Sequence, residues 1–342
     1  MTNLELYVSA VLIAGAVAAA LTPVVRWAVL RRGWVDRPYG VKTHKRDTPA
    51  MGGIAIGAAY ALTLVAIRTM TQFPTGTLRS LRAILAGGVM VLFLGFLDDY
   101  RKPQGLGVIP KFAVQGLAAV VLILFDIRIR FIQPQYIGDV LTLLWVVGIT
   151  NAFNLIDIMD GLCASQAAVA ALAFLCIAMP SEQIYVNFAS AALLGAAFGF
   201  LPWNLSERRK IFMGDTGSLF LGFVLAAIAL GADYTQKNPL GVYAPLFILL
   251  VPTYDTLFVT VVRLLKGQSP FMGSPDHVAL RMERLGLSRG QIVFLAAVVA
   301  GLLSLCAFLV TQVHTRWALV IYGFACTYMA LLSWKLYRID VG

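Results

Sequence analysis

A series of long apolar stretches runs through this chain of 342 residues and constrains its fold more than any other feature. Each stretch is rich in Ala, Leu, Val and Gly and approaches the ~20 residues that a helix needs to cross a bilayer. Hydrophobic residues make up 59% of the sequence and charged residues only 13%, outside the usual range of soluble domains. The stretches lie near residues 4–25, 53–70, 82–97, 112–127, 139–153, 163–179, 185–202, 213–231, 242–262, 291–312 and 317–337.

This pattern predicts an all-α, polytopic integral membrane protein with about 11 transmembrane helices, or 10 if the two weakest stretches between 112 and 153 merge. Strands of a membrane barrel would instead alternate in short segments of weaker hydropathy. The sequence contains no soluble domain, low-complexity linker or convincing repeat. We therefore expect residues 1–342 to form a single membrane domain.

Lysine and arginine residues indicate the orientation, because cytoplasmic loops retain positive charge. Alternate loops hold 20 of the 27 basic residues, which places the N-terminus outside and the C-terminus in the cytoplasm. The net charge of +10 is thus mostly a topology signal. The first stretch has no basic leader and carries Glu5, so we expect a retained span and not a cleaved signal peptide. The basic loops are 26–52, 98–111, 203–212, 263–290 and the tail after 334.

The four cysteines fall in or beside the apolar stretches, without a CxxC pair or metal-ligand spacing. We expect them to be packing residues. They are Cys163, Cys176, Cys306 and Cys326.

Six aspartates lie at the ends of apolar stretches, where an isolated charge is costly and more often serves function than packing. The predicted topology brings three of their motifs to the cytoplasmic side of different helices, so they can share one site. Clustered carboxylates suit Mg²⁺ or Mn²⁺, which bind few protein ligands together with substrate phosphates. Each motif alone could also cap a helix or form a plain turn. The aspartates are Asp98 and Asp99 in FLDDYRK, Asp157 and Asp160 in NAFNLIDIMDG, Asp215 in FMGDTGSL and Asp255 in PTYDTLF.

Five motifs between residues 34 and 290 resemble, in the same order, those of the polyprenyl-phosphate N-acetylhexosamine-1-phosphate transferase family. The resemblance implies transfer of a HexNAc-1-phosphate from a UDP-sugar to a polyprenyl (undecaprenyl) phosphate at the cytoplasmic face of the inner membrane. The products would be a polyprenyl-diphosphate sugar, which initiates a cell-envelope glycan, and UMP. The motifs are KTHKRDTPAMGGIAIG, FLGFLDDYRK, NAFNLIDIMDGL, FMGDTGSLFLGF, and PTYDTLFVTVVRLLKGQSPF with PDHVALRMERLGLS.

The same resemblance implies a Mg²⁺-dependent enzyme, with Mn²⁺ as an alternative, whose partners are the two substrates and the lipid bilayer. Nucleic acid is not expected as a partner, and a homodimer is left open. The active-site loops would be those near 26–52, 98–111, 154–163, 203–215 and 263–290. The sugar, the polyprenyl length and the pathway served are not determined by the sequence.

The resemblance also assigns roles to individual residues. Asp215 would be a catalytic metal ligand together with Asn154, and Asp98 and Asp99 would be catalytic residues facing the lipid phosphate. We favour direct attack by that phosphate over a covalent aspartyl intermediate, because its second proton is lost near pH ~6. Residues implied to bind the nucleotide sugar are Asp157, Asp160, Phe212, Lys45 and Arg46; those implied to bind phosphate are Lys102, His277 and Arg281.

Two positions depart from the family pattern. The last cytoplasmic loop usually carries two or more histidines, whereas here only His277 is present, with Arg281 four residues later on the same predicted helical face. This loss disfavours the muramoyl-pentapeptide substrate and favours a smaller UDP-HexNAc, with GlcNAc expected. Ile158 replaces a common glycine, adding bulk beside the nucleotide site.

Two other classes of protein use aspartates within the membrane. An intramembrane aspartyl protease would pair Asp215 with Asp255, but the order of its motifs is reversed here and the DDYRK motif would have no role. A cation-coupled transporter would place its aspartates near the midplane on broken helices, whereas these gather at one face.

Overall fold

The computed structural model describes residues 2–36, 47–71, 73, 75–181, 183–269 and 274–338. Over these ranges it is almost entirely helical, which confirms the predicted all-α, polytopic membrane class. The helices are α1 (Asn3–Arg31), α2 (Gly53–Met70), α3 (Thr75–Tyr100), α4 (Val108–Leu124), α5 (Gln135–Ile156), α6 (Leu162–Ala178), α7 (Ile184–Asn204), α8 (Gly214–Ala229), α9 (Ala244–Ile248), α10 (Leu250–Leu265), α11 (Val278–Arg284), α12 (Arg289–Gln312) and α13 (Thr315–Tyr337).

In the described part of the chain, seven helices are long and apolar enough to cross a membrane. The segment Pro239–Ile248 and α10 meet the same criteria only when they are taken together, and the two are bent by 71° relative to each other. Three further apolar helices, α4, α6 and α8, have only 16 or 17 residues. Each of these segments overlaps one of the predicted stretches. Their orientation across the bilayer stays a prediction.

Helix α8 is the centre of the bundle, and every residue from Thr216 to Ala229 is buried. It contacts α2, α3, α5, α6 and α7. A Cβ added to Gly53 of α2 would collide with the backbone of Gly217, and one added to Gly95 of α3 with the backbone of Asp215. Small residues allow such close backbone approach between membrane helices. The amino-terminal end of α8 is therefore held directly against two neighbouring helices.

The loop between α7 and α8 is tied to the loop after α1 by backbone hydrogen bonds. Strand β1 (Val35–Asp36) pairs antiparallel with β2 (Thr48–Pro49). The Phe212 N–H donates to the Pro49 carbonyl at 2.8 Å, and the Gly52 N–H donates to the Phe212 carbonyl at 2.9 Å. These bonds fix the position of Phe212 beside the start of α8.

The four cysteines are free. Cys163 is buried and its thiol donates to the Phe153 carbonyl, in agreement with a packing role.

Candidate active site

A cavity of about 1570 Å³ opens at the end of the bundle where the acidic motifs lie. Its walls come from the loops after α1, α3, α5 and α7 and from the segment preceding α11. The structure thus brings together, on one surface, residues that the sequence separates by more than a hundred positions. Predicted site residues that line the cavity are Lys102, Asn154, Asp157, Asp160, Phe212, Asp215 and His277.

Three carboxylates and two ammonium groups form a compact cluster at one side of this cavity. Lys102 Nζ lies 2.7 Å from Asp99 Oδ1 and 3.2 Å from Asp215 Oδ1. Lys111 Nζ lies 2.9 Å from both Asp98 Oδ2 and Asp215 Oδ2. Asp215 therefore sits between two lysines that are each anchored by a second aspartate. The three carboxylates hold both ammonium groups in fixed positions.

Asp99 acts mainly on the backbone at the start of α8. Its Oδ1 accepts the Asp215 N–H at 3.1 Å, and its Oδ2 accepts the Thr216 N–H at 2.9 Å and the Thr216 hydroxyl at 2.6 Å. The first turn of a helix has unpaired N–H groups that attract negative charge. Gly214, at φ +72°, gives this carboxylate room, because an added Cβ would collide with it. Asp99 is thus the cap of the helix that carries Asp215.

Asp98, which precedes Asp99 in the sequence, is also buried. Its Oδ1 accepts the Leu106 N–H at 2.6 Å, while Oδ2 pairs with Lys111. Neither Asp98 nor Asp99 lies among the described residues lining the large cavity; Asp99 lines a separate pocket of about 100 Å³ that Lys102 also borders. Both carboxylates bind other groups of the protein. Their predicted direct contact with the lipid phosphate therefore stays a prediction.

Lys111 is the cluster residue that the sequence analysis missed. It stands in the first turn of α4, where a single lysine at the end of an apolar stretch looks like an ordinary topology signal. Only the fold shows that it reaches Asp98 and Asp215.

Lys102 is held as a cation by its surroundings. Burial lowers the pKa of its ammonium group, but the Asp215 and Asp99 carboxylates outweigh burial and hold the pKa above its ordinary value. A lysine that stays charged at neutral pH cannot act as a base. It can neutralise a phosphate that enters the cavity.

Another part of the cavity wall carries Asp160 and Phe212, which were predicted to bind the nucleotide. Lys210 Nζ pairs with Asp160 Oδ2 at 2.7 Å and lies 6.0 Å from the Phe212 ring centroid. Asn204, which the sequence analysis did not single out, joins this wall to the neighbouring turn by accepting the Gly161 N–H at 2.6 Å and donating to the Ile211 carbonyl at 3.0 Å. An aromatic ring beside a paired carboxylate and ammonium can stack on a base and bind its polar edge. Ile158 also lines this cavity.

Asp157 lies in the turn that follows α5, and no described residue gives its carboxylate a hydrogen bond or ion pair. Burial and the nearby charge of Asp215 raise its pKa to about 8. Without substrate, Asp157 is therefore protonated at neutral pH and can donate a hydrogen bond.

This pKa predicts a stability change with pH. The Asp157 carboxyl loses its proton near 3.8 in its ordinary environment and near about 8 in the folded protein. Between these values the folded state binds more protons, so the free energy of unfolding falls as pH rises towards about 8. The amide of Asp157→Asn does not titrate, so the variant lacks this fall in the free energy of unfolding. The melting temperature of the substrate-free variant, relative to wild type, should rise by roughly 5 to 10 °C between about pH 5 and about pH 8.5.

Thermal unfolding in detergent at the two pH values measures this difference, with Asp139→Asn as the matched control. Asp139 pairs with Arg128 near the other end of α5, about 30 Å from Asp157 along the helix. Parallel curves of melting temperature against pH for Asp157→Asn and wild type would contradict the prediction.

The structure separates His277 from Arg281, which were predicted to bind diphosphate together. His277 lines the cavity. Arg281 is buried, donates to the Asp276 carboxylate at 2.8 Å and stacks over Phe258 at 5.2 Å. It is absent from the described cavity wall, because its guanidinium group is held by Asp276 and packs over Phe258. Lys45 and Arg46 lie outside the described residues.

The donor set at Asp215 fits Mg²⁺. The Asn154 amide nitrogen donates to Ser218 Oγ at 3.0 Å, which leaves Asn154 Oδ1 as a hard oxygen in a residue that lines the same cavity as Asp215. No three His, Cys, Asp or Glu side chains among the described residues converge as a closed metal cage. Mg²⁺ commonly uses only one or two protein ligands and completes its shell with water and substrate phosphates.

Comparison with known proteins identifies the family. A probable undecaprenyl-phosphate N-acetylglucosaminyl 1-phosphate transferase of Bacillus subtilis (strain 168) is 30% identical over 308 residues, covering 87% of this chain and 82% of the relative. Residues 81–233 match the model of glycosyl transferase family 4. The chain belongs to this family. The resemblance based on the five motifs is thereby confirmed.

Two further relatives show similar relationships. A decaprenyl-phosphate N-acetylglucosaminephosphotransferase of Mycolicibacterium smegmatis is 31% identical over 316 residues, covering 82% of this chain and 76% of the relative. An undecaprenyl-phosphate alpha-N-acetylglucosaminyl 1-phosphate transferase of Escherichia coli (strain K12) is 27% identical over 326 residues, covering 90% and 86%. The matched family region contains the whole Asp–Lys cluster, whereas His277 lies beyond it.

Proposed function

We propose that this protein transfers GlcNAc-1-phosphate from UDP-GlcNAc to undecaprenyl phosphate at the cytoplasmic face of the inner membrane, in a Mg²⁺-dependent reaction. The products are undecaprenyl-diphosphate GlcNAc, the lipid-linked start of a cell-envelope glycan, and UMP. The names of the relatives, which act on undecaprenyl or decaprenyl phosphate and transfer N-acetylglucosamine phosphate, support this assignment.

One observation carries the proposal: Lys102 and Asp215, the two members of the Asp–Lys cluster that reach the cavity, line it together with Phe212. The cluster is suited to phosphate groups and the Phe212 ring to a base. A reaction between a nucleotide diphosphate and a lipid phosphate needs both at once.

The chemistry requires charge neutralisation more than proton transfer. An oxygen of the lipid phosphate attacks the phosphorus that carries the sugar, forming a new P–O bond. The bond from that phosphorus to the bridging oxygen breaks, and UMP leaves with the bonding electrons. Lys102 and Lys111 balance the anionic charge of the reacting groups, while Asp98 and Asp99 keep the two ammonium groups in place. No aspartyl intermediate is needed, because the lipid phosphate is itself a competent nucleophile.

A bound Mg²⁺ would be held by Asp215 and Asn154 and would supply Lewis-acid stabilisation of the phosphate oxygens. Asp157, protonated in the free protein, is available as a donor to the nucleotide sugar or, once a cation arrives, as an additional acceptor. Phe212 and Asp160 orient the base.

The test is UMP release by the purified protein in detergent with undecaprenyl phosphate, UDP-GlcNAc and Mg²⁺. We expect release that requires both substrates, falls to background with EDTA and returns when Mg²⁺ is added in excess. Mn²⁺ should restore part of the activity, since it prefers the same oxygen ligands.

Assays with a panel of other UDP-sugars determine which nucleotide sugar is the donor substrate. Faster turnover with a different UDP-HexNAc would change the sugar and keep the reaction. Failure to release UMP with any UDP-HexNAc, from protein that elutes as a single species, would overturn the proposed function.

A further inference from the structure

Asp255 is the aspartate to which the sequence assigned no role, and the structure places it against the segment before α11. Its Oδ2 lies 2.6 Å from His277 Nδ1, and its Oδ1 accepts the Val278 N–H at 2.8 Å. Both side chains are about 5% exposed. One carboxylate of α10 therefore holds His277 and Val278, the first residue of α11.

The contact with Asp255 fixes the tautomer of His277. An ionised carboxylate only accepts hydrogen bonds, so Nδ1 of the ring carries the proton. Nε2 is then the unprotonated ring nitrogen, which accepts a hydrogen bond. Because His277 lines the cavity together with Lys102 and Asp215, that atom is available to a ligand in the cavity.

The carboxylate of Asp276, next to His277 in the sequence, binds other groups and does not replace Asp255 as the partner of the ring. Asp276 precedes His277, but its Oδ1 is paired with Lys266 at 2.9 Å and with Arg281 at 2.8 Å. Its Oδ2 accepts the Ser274 hydroxyl at 2.9 Å. Asp276 therefore orders the segment, while Asp255 controls the imidazole.

We propose that Asp255 is a positioning residue that holds His277 in the Nδ1-protonated tautomer, so that Nε2 accepts a hydrogen bond from a hydroxyl or amide N–H group of the bound nucleotide sugar. This inference rests on the proposed function for the identity of the ligand. Partners of this kind fix the ring orientation and tautomer of functional histidines, and their loss commonly costs 10- to 100-fold in binding or activity.

Substituting Asp255 by Asn should disturb the tautomer directly. The amide has oxygen at only one of the two carboxylate positions, so it cannot accept the Nδ1–H at one position and the Val278 N–H at the other. If the NH₂ group faces the ring, Nδ1 must become the acceptor and the proton moves to Nε2. The atom that faces the cavity then changes its hydrogen-bonding character.

The tautomer is measurable without any activity, because the chain has only three histidines, His44, His277 and His314. Magic-angle-spinning NMR of ¹⁵N-histidine-labelled protein in lipid bilayers separates the two tautomers, and the signal missing in His277→Gln assigns the residue. We expect wild type to show His277 protonated at Nδ1, and Asp255→Asn to move that signal to the Nε2-protonated form or to a mixture. His314→Gln, at an exposed histidine, is the matched control.

Kinetics then test whether the position matters for the reaction. Asp255→Asn should lower kcat/KM for UDP-GlcNAc by about 10- to 100-fold and leave the KM for undecaprenyl phosphate within about twofold. Because Asp255 acts through His277, Asp255→Asn combined with His277→Gln should be no slower than His277→Gln alone. The Asp139→Asn variant should retain wild-type kinetics.

Several results would overturn the inference. A wild-type NMR spectrum that shows His277 protonated at Nε2 would contradict the inference, even if Asp255→Asn failed to fold. An unchanged tautomer in a folded Asp255→Asn protein, or a further loss of activity in the double variant, would also do so. Absence of UMP release from wild type would instead overturn the proposed function, and the NMR result would still decide whether Asp255 fixes His277.

Discussion

Asp215→Asn is expected to lower kcat for UMP release by about 100- to 1000-fold while the protein remains folded. The substitution removes the carboxylate that faces the cavity and is proposed to hold Mg²⁺. Lys102 and Lys111 keep Asp99 and Asp98 as partners, so no ammonium group is left unpaired. We therefore expect the melting temperature to change by less than about 2 °C.

Single-turnover measurement of UMP release, with thermal unfolding of the same preparation, tests this separation of activity from stability. Asp139→Asn is the matched control, because it also neutralises one aspartate of an ion pair but lies far from the cavity. Near-wild-type turnover by Asp215→Asn would exclude Asp215 as a metal ligand.

Asp99→Asn is expected to reduce both activity and stability. Its carboxylate receives the Asp215 and Thr216 N–H groups, the Thr216 hydroxyl and the Lys102 ammonium group, and an amide cannot accept all four. Loss of one partner of a buried charged network costs about 3 to 5 kcal/mol. The melting temperature should fall by roughly 5 to 10 °C, and kcat should fall about 100-fold because Asp215 loses its support.

Thr216→Val is a milder substitution in the same hydrogen-bond network as Asp99→Asn. It removes only the hydroxyl that donates to Asp99 and keeps the backbone N–H, so it should cost about 1 to 2 kcal/mol. A stable Asp99→Asn protein with impaired turnover would show that Asp99 acts on the substrate and not on the start of α8.

Much of the fold could be predicted because a bilayer imposes a length and a composition on each span. The eleven stretches predicted the positions of the spans well, including the bent segment that ends in α10. Helix ends were less well predicted: α1 continues to Arg31, beyond the apolar stretch that ends near residue 25. A helix continues into the interface wherever its backbone hydrogen bonds persist, and hydropathy does not report this.

The candidate site could be predicted as a set of motifs but not as a set of contacts. Asp98 and Asp99 are adjacent in sequence and were assigned one role, yet they serve different partners: Asp98 anchors Lys111, and Asp99 caps α8. Lys111 carries no local signal. Arg281 has the sequence spacing of a partner for His277, but its guanidinium is committed to Asp276.

The amino-acid sequence by itself determined the membrane class, the positions and order of the apolar helices and the family, because hydrophobic length and motif order are local properties of the chain. Only the tertiary structure decided which aspartate faces the cavity, which one supports α8 and which one holds His277. These roles depend on contacts between residues far apart in the chain, such as Asp99 with Thr216 and Asp98 with Lys111. Such contacts arise when glycines let the helices approach closely enough for buried charges to find partners.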